Sequence, residues 1–200
     1  MDKPLPIPWE NGLQWFLRMI PAKELGEKSF RELFDHLRRT PLRPFGRNVV
    51  PSNMVNGWGA VSFDQRPEGK PIRSLSQLFN SGEIWGIERG AEYTEAAKAL
   101  PFPYLVTVFT EWVGEYLHFL REELKVQPPI KLVAGVSGIQ GYAIADRRYI
   151  SPAGYSPRDE ILYETVLDRV DVEVSEVLGP FFQKLWGDFT LPGTWDEVQS

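Results

Sequence analysis

Four polar residues on one predicted helix have the chemistry to bind a divalent metal ion. Glu115 and His118 form a Glu-x-x-His pair, the spacing that carboxylate-bridged di-metal bundles use, and Glu111 and Glu122 fall on the same side. Such a site needs the same pair on a second helix, and no other Glu-x-x-His occurs in the chain. A solvated polar face is therefore the favoured interpretation. A metal-assisted hydrolase that uses these four residues stays as an alternative.

The segment GVSGIQG carries the glycines and the serine that a phosphate loop or a nucleophile would need. Gly135, Gly138 and Gly141 do not have the spacing of a dinucleotide fingerprint, and no Gly-Lys-Ser/Thr follows them. The strand-like YAIA comes next, where phosphate binding requires a helix N-terminus. Ser137 lacks the Gly-x-Ser-x-Gly elbow. A bulged strand or tight hairpin is the better interpretation, and the sequence assigns no catalytic residue, metal or cofactor.

Four arginines crowd into RRTPLRPFGR: Arg38, Arg39, Arg43 and Arg47. They could form a local basic patch that binds nucleic acid weakly. However, the whole chain has a net charge of −5, which argues against broad binding to a phosphate backbone. Cations near a helix C-terminus also suit the helix dipole, so a solvated helix end is the competing interpretation.

Three aromatic residues are candidates for the walls of a ligand pocket: Trp58, Trp85 and Tyr142. Aromatic side chains line many small-molecule sites, but they also fill cores. The sequence leaves both interpretations open.

The composition favours a globular protein without disulfides or membrane spans. Two hundred residues with 42% hydrophobic side chains predict one globular domain over 1–200, with an irregular lead-in at 1–12 and a fraying tail at 190–200. There is no cysteine, hence no disulfide, thiolate metal site or cysteine nucleophile. No stretch approaches the roughly 18 apolar residues of a membrane span. We expect a cytoplasmic protein with no membrane partner.

The strongest structural pattern lies between 101 and 145. Apolar residues recur at helical spacing from Leu105 to Leu124, and Pro128 and Pro129 then prevent the helix from continuing. From Ile130 the run IKLVAGV is typical of a buried strand. A helix laid across a sheet is the predicted core.

The other elements follow from shorter patterns. We predict a strand at 13–20, a helix at 30–39 opened by a Ser29–Glu32 capping box, and a long loop at 41–57. A strand at 58–64, a hairpin of 72–80 with 83–89 and a final helix after 174 complete the chain. Residues 161–167 fit a strand or a helix, and Tyr163, Thr165 and Val166 favour the strand. The predicted fold class is α+β, a mostly antiparallel sheet packed against two to three helices, or a ferredoxin-like variant of it.

Several segments, in this order, resemble the C-terminal region of prokaryotic proteins whose N-terminal part is an AlbA-type, Schlafen-like DNA-binding domain. The segments are QWFLRMIPA (14–22), PLRPFGR (41–47), SLSQLFNSGEIWGIE (74–88), FPYLVTVFTEWVGEYLHFLREEL (102–124), PPIKLVAGVSGIQGYAI (128–144), ILYETVLD (161–168) and VLGPFFQKLWGDF (177–189). The shared positions are mainly apolar, glycine or proline.

The resemblance implies a role near transcription regulation or defence and transfers no catalytic residue. Nothing in the chain resembles the DNA-binding domain itself. We therefore expect a non-catalytic effector, ligand-sensing or oligomerisation domain. Its implied partners are a small-molecule effector, a second copy of the chain, or an attached N-terminal DNA-binding domain.

Overall fold

A computed structural model describes residues 12–23, 25–26, 29–65, 70–90, 98–145, 153–189 and 191. The helices are α1 (Phe30–Arg39), α2 (Phe102–Glu122) and α3 (Val174–Asp188). The strands are β1 (Gln14–Pro21), β2 (Pro51–Asn56), β3 (Gly59–Asp64), β4 (Ser74–Phe79), β5 (Ile84–Arg89), β6 (Ala99–Pro101), β7 (Ile130–Ser137), β8 (Ala143–Ala145) and β9 (Glu160–Leu167). The predicted irregular ends at 1–12 and 190–200 lie outside the described residues, apart from positions 12 and 191.

Seven strands form one sheet in the order β2-β3-β4-β5-β1-β7-β9, and every neighbouring pair is antiparallel. Strands β6 and β8 form a separate parallel pair. The sheet and three helices confirm the predicted α+β class. Within the described residues, no helix combines the length and the apolar composition that a membrane span needs.

A ferredoxin-like core can be traced inside this sheet. The elements β1-α1-β4-β5-α2-β7 follow the β-α-β-β-α-β order of that fold, and their strands lie side by side as β4-β5-β1-β7. Each helix therefore connects two parallel strands that have one antiparallel strand between them. The hairpin β2-β3 extends one edge of this core, and β9 extends the other.

One face of the sheet, the inner face, carries all three helices. Alternation along β1 points Trp15, Leu17 and Met19 inward, and all three are fully buried. The apolar stripe of α2 and the buried residues of α1 and α3 belong to the same continuous core. In that core, Phe109 of α2 packs on Phe181 of α3, with ring centroids 4.9 Å apart.

Local chemistry sets the boundaries of α1. The Ser29 hydroxyl accepts a hydrogen bond from the Glu32 backbone N–H, and the Glu32 carboxylate accepts one from the Ser29 N–H at 2.8 Å. This capping box satisfies two otherwise unpaired donors, as the sequence predicted.

The prediction of a loop at 41–57 is wrong for Pro51–Asn56, because these residues form strand β2. Its proline and asparagines argue against a central strand, but β2 lies at the edge of the sheet, where a missing N–H costs little.

Truncation of the aromatic contact between α2 and α3 tests this core. Phe109→Ala removes a fully buried ring, so we expect the free energy of unfolding to fall by about 3–5 kcal/mol. Thr107→Ala, at an exposed position of the same helix, should change it by less than about 0.5 kcal/mol. Urea denaturation measures both, and equal losses would contradict the packing described here.

Candidate functional site

An acidic residue lies on the buried inner face of the sheet. Strand β5 alternates, so Ile84, Gly86 and Glu88 point inward while Trp85 and Ile87 point outward. The Glu88 side chain has no exposed surface. Burying a carboxylate costs free energy unless the group is paired or protonated. Buried titratable groups of this kind are enriched at functional sites.

Arginine side chains compensate the charge of Glu88. Arg47 Nε lies 2.8 Å from Glu88 Oε1, and Arg73 is close enough to stabilise the carboxylate electrostatically. Burial nevertheless raises the pKa of Glu88 to about 8, although Arg47 and Arg73 act in the opposite direction. The charge of Asp64 raises it further. At neutral pH both protonation states of Glu88 are therefore populated.

The segment 41–47 brings Arg47 to this position, and neutral hydrogen bonds hold that segment on β4. The Ser74 hydroxyl donates to the Phe45 carbonyl, and the Ser76 hydroxyl donates to the Arg43 carbonyl, both at 2.6 Å. The Arg43 guanidinium pairs with Glu115 of α2 and stacks over the Trp112 ring, 4.9 Å from its centroid.

Glycine is required at position 46. Gly46 has φ +73°, a conformation that L side chains rarely adopt, and a Cβ built there would overlap the Glu88 carboxylate. The backbone thus passes directly against the buried carboxyl group.

Two partly exposed side chains, those of Tyr104 and Arg47, lie near Glu88. Tyr104 is 39% exposed, and its hydroxyl donates to the Gly46 carbonyl at 3.1 Å. Its ring lies 5.8 Å from that of Trp15, the cross-strand neighbour of Glu88 on β1. The Arg47 side chain is 30% exposed. Burial and the charge of Glu88 raise the pKa of Tyr104.

We call Glu88, Arg47, Arg73, Trp15 and Tyr104 the Glu88 site. It contains a carboxylate, two guanidinium groups, a phenol hydroxyl and an indole N–H. That Trp15 N–H is buried and has no hydrogen-bond partner in the part of the chain that the structure describes. These groups can hold a polar ligand by charge and hydrogen bonding, whereas none of them is an activated nucleophile.

The four residues of the alternative metal site, on α2, do not come together around one point. Glu115 is held by Arg43, and Glu122 pairs with Arg121 at 2.7 Å. Glu111 and His118 are exposed on α2. Across the described ranges, no group of three or more histidine, cysteine, aspartate or glutamate side chains could hold a metal ion.

The four arginines of the predicted nucleic-acid patch fall into two pairs. Arg43 and Arg47 have internal carboxylate partners, Glu115 and Glu88. Arg38 and Arg39 line a surface groove of about 630 Å³ along α1, together with Glu32, Asp35 and His36. The acidic walls of this groove oppose phosphate binding, and nucleic-acid binding by all four arginines stays a prediction.

The three predicted aromatic pocket residues lie in different environments. Trp85 is on the outward side of β5, stacked under Arg18 at 4.4 Å and against Phe79. Trp58 is in the turn between β2 and β3. Tyr142 is buried in the main core before β8. The three residues therefore do not line one common pocket. Ligand binding by any of them stays a prediction.

Sequence reasoning missed Glu88, although IWGIER contains a signal for it. In a strand with a period of two, Glu88 shares a face with Ile84 and Gly86, so an acidic residue falls on the apolar side. Arg47 could not be assigned as its partner, because that contact depends on where the segment 41–47 packs.

Comparisons with protein-family models, with curated proteins and with solved structures found no match to this chain. The resemblance to AlbA-type, Schlafen-like proteins therefore stays an expectation.

The raised pKa of Glu88 predicts a pH-dependent stability. The ordinary pKa is near 4.5 and the folded value is about 8, so between these values the folded protein holds more protons than the unfolded chain. The free energy of unfolding should therefore fall as pH rises through this window and level off above it. Urea denaturation at pH 5.5, 7 and 8.5 measures the slope. Glu88→Gln should flatten it, whereas Glu111→Gln, on the exposed face of α2, should not. A slope unchanged in Glu88→Gln would assign the titration to another group.

The close approach of the backbone to Glu88 predicts a specific cost at position 46. Gly46→Ala and Gly141→Ala both place a side chain at positive φ, with values of +73° and +75°, but a Cβ at 141 has no neighbour within 4 Å. The strain common to both is about 1 kcal/mol. We expect Gly46→Ala to be less stable than Gly141→Ala by a further ~1–3 kcal/mol, because it also displaces the carboxylate. Equal unfolding free energies would show that Glu88 does not pack against this backbone.

Proposed function

We propose that this chain is a non-catalytic, ligand-sensing domain of a prokaryotic regulatory or defence protein, and that its effector is a small organic cation that binds at the Glu88 site. The observation that carries the proposal is a fully buried carboxylate that lies next to two partly exposed side chains, Arg47 and Tyr104. The regulatory setting comes from the family resemblance.

A purely structural role for the ion pair is the competing interpretation. In that view, Glu88 and Arg47 serve only to fix the segment 41–47 on the sheet. That segment already has the hydrogen bonds from Ser74 and Ser76 and the pair between Arg43 and Glu115. A buried ion pair often adds no net stability, because desolvation offsets the attraction between its charges. The extra buried pair therefore favours a functional role.

The chemistry of the site favours a cation over an anion. Arg47 is the only component of the ion pair with exposed surface, so its guanidinium can move outward and leave the carboxylate to a cationic ligand. The rings of Trp15 and Tyr104 beside the carboxylate suit an amine or guanidinium, which aromatic faces attract. The net charge of −5 also favours the approach of cations.

Binding of this kind is linked to protonation. A cation pairs with ionised Glu88, and the pKa of about 8 leaves part of the population protonated at neutral pH. The ligand must therefore displace a proton, and its apparent affinity rises with pH up to about 8. Arg47 also leaves the carboxylate on binding, which frees the end of the segment 41–47. This is the structural change that a partner domain would read.

A thermal-shift panel in an amine-free buffer tests the proposal. The cationic probes are putrescine, agmatine and ethanolamine, and the anionic probes are phosphate and acetate. At 100 times its dissociation constant, a bound cation adds about 2.7 kcal/mol, and each kcal/mol shifts the melting temperature by about 2–4 °C for a chain of this size. We expect at least one cation to stabilise the protein, more strongly at pH 8 than at pH 6.

The matched variants locate the effect. Glu88→Gln should abolish the shift, while Glu111→Gln should keep it. Stabilisation by no cation, or a shift that persists in Glu88→Gln, would contradict cation sensing at this site. A shift given only by the anions would instead indicate binding to Arg47 and Arg73.

A further inference from the structure

Strand β9 forms one edge of the seven-stranded sheet, and β2 forms the other. Strand β9 pairs with β7 over all eight of its residues in one unbroken register, and it contains no proline or glycine. By contrast, β2 has six residues and begins with Pro51. Prolines, bulges and very short strands are devices that keep the edge of a sheet from pairing with another chain. Strand β9 lacks all three.

The hydrogen-bond pattern shows which backbone groups of β9 point away from the sheet. A residue of an antiparallel strand directs its N–H and C=O groups to the same neighbour, and the next residue directs them to the opposite side. The Pro129 carbonyl accepts from the Ala22 N–H at 3.0 Å, so the odd-numbered residues of β7 bond to β1 and the even-numbered ones to β9. The latter are the register partners of the odd-numbered residues of β9. The residues of β9 that face the open edge are therefore Leu162, Glu164 and Val166.

Lys184 of α3 covers one acceptor of this edge and none of its donors. Its ammonium group donates to the Leu162 carbonyl at 2.6 Å, which agrees with the direction derived from the register. A lysine over an exposed edge is a common protective device, but an ammonium group has no acceptor to offer. Within the described ranges, the N–H groups of Leu162, Glu164 and Val166 have no hydrogen-bond partner. An added strand can therefore use three backbone donors.

The exposed side chains of β9, on the side of the sheet opposite the helices, alternate between acidic and apolar. Along the strand they are Glu160, Leu162, Glu164 and Val166. The exposed fractions of Leu162 and Val166 are 38% and 57%. Glu164 pairs with Lys131 at 2.8 Å, whereas Glu160 has no ion-pair partner in the part of the chain that the structure describes. The pattern matches a strand that alternates between basic and apolar residues, because opposite charges and apolar pairs across neighbouring strands are stabilising.

A second copy of the chain fits this edge less well than a basic partner does. Positions 159–168 contain four acidic residues and no lysine or arginine. Two β9 strands paired across a two-fold axis would therefore bring acidic side chains opposite acidic or apolar ones in every register. Like charges directly opposite each other are destabilising. Charge complementarity thus favours a partner that supplies cations.

We infer that the open edge of β9 binds an extended, basic segment of a partner protein as an eighth strand of the sheet. Every neighbouring pair in the sheet is antiparallel, and an antiparallel addition continues this arrangement. The basic side chains of the segment lie opposite Glu160 and Glu164, and its apolar side chains lie opposite Leu162 and Val166. Lys184 moves off the Leu162 carbonyl when the strand is added. The inference does not depend on the Glu88 site.

An NMR titration of the isotope-labelled full chain with the peptide Ac-TVTKTVTKT-NH2 tests the inference. We expect a Kd below about 1 mM, with the largest shifts at the N–H groups of Leu162, Glu164 and Val166. The control Ac-TVTETVTET-NH2 should bind at least about 10-fold more weakly, because its charges repel those of β9. The lysine peptide carrying N-methyl groups on its valines and lysines should not bind, because it lacks the N–H donors that face β9.

Variants of the chain locate the binding. Val166→Pro removes an N–H that the sheet does not use, so its thermal unfolding should stay cooperative while the Kd of the lysine peptide rises at least about 10-fold. Val166→Thr keeps this N–H and should raise the Kd less. Glu160→Lys breaks no ion pair of the described residues. It should weaken the lysine peptide by about 3–10-fold and strengthen the glutamate peptide.

Three results would overturn the inference: no binding of the lysine peptide up to about 1 mM, undiminished binding of its N-methylated form, or an unchanged Kd in Val166→Pro. Sedimentation of the chain alone gives a fourth. A dimer that Val166→Pro dissociates would assign the edge to a second copy instead of a basic partner. Both Val166→Pro and Glu160→Lys should still respond to cations, so failure at this edge is distinguishable from failure of sensing at Glu88.

Discussion

A carboxylate on the buried face of a sheet must be paired or protonated, and this constraint explains the region around Glu88. The alternation of β5 points Glu88 to the inner face, where its side chain has no exposed surface. The segment 41–47 then supplies Arg47, which requires a glycine at position 46 to bring the backbone close enough. Because burial outweighs the arginine charges, the pKa of the carboxyl group is raised to about 8, and its protonated form is populated at neutral pH.

The sheet separates two kinds of surface. Its inner face packs against the helices and contains the Glu88 site, whereas its opposite face carries apolar side chains and the ion pairs Arg18–Glu83 and Lys131–Glu164. Under the proposed function, the Glu88 site on the inner face is the part of the domain that binds the ligand.

Periodicity predicted most of the fold, because α2 and the β4-β5 hairpin have patterns that tertiary contacts do not override. The pattern of β9 is compatible with a helix as well, and its β-branched and aromatic residues favour the strand that forms. Strand β2 escaped prediction because its proline and asparagines are tolerated only at an edge, and the sequence does not reveal which strand is the edge. The same limit applies to the site. The position of Glu88 on an apolar face is visible in IWGIER, but its pairing with Arg47 depends on packing between distant segments.

The most direct test of the account is an NMR titration of the Glu88 side-chain carboxyl carbon, in the free protein and with a cation that stabilises it. The account predicts a pKa near 8 in the free protein, because burial dominates, and a lower pKa when the cation is bound. A free-protein pKa close to the ordinary value of 4.5, or one that the cation leaves unchanged, would contradict it.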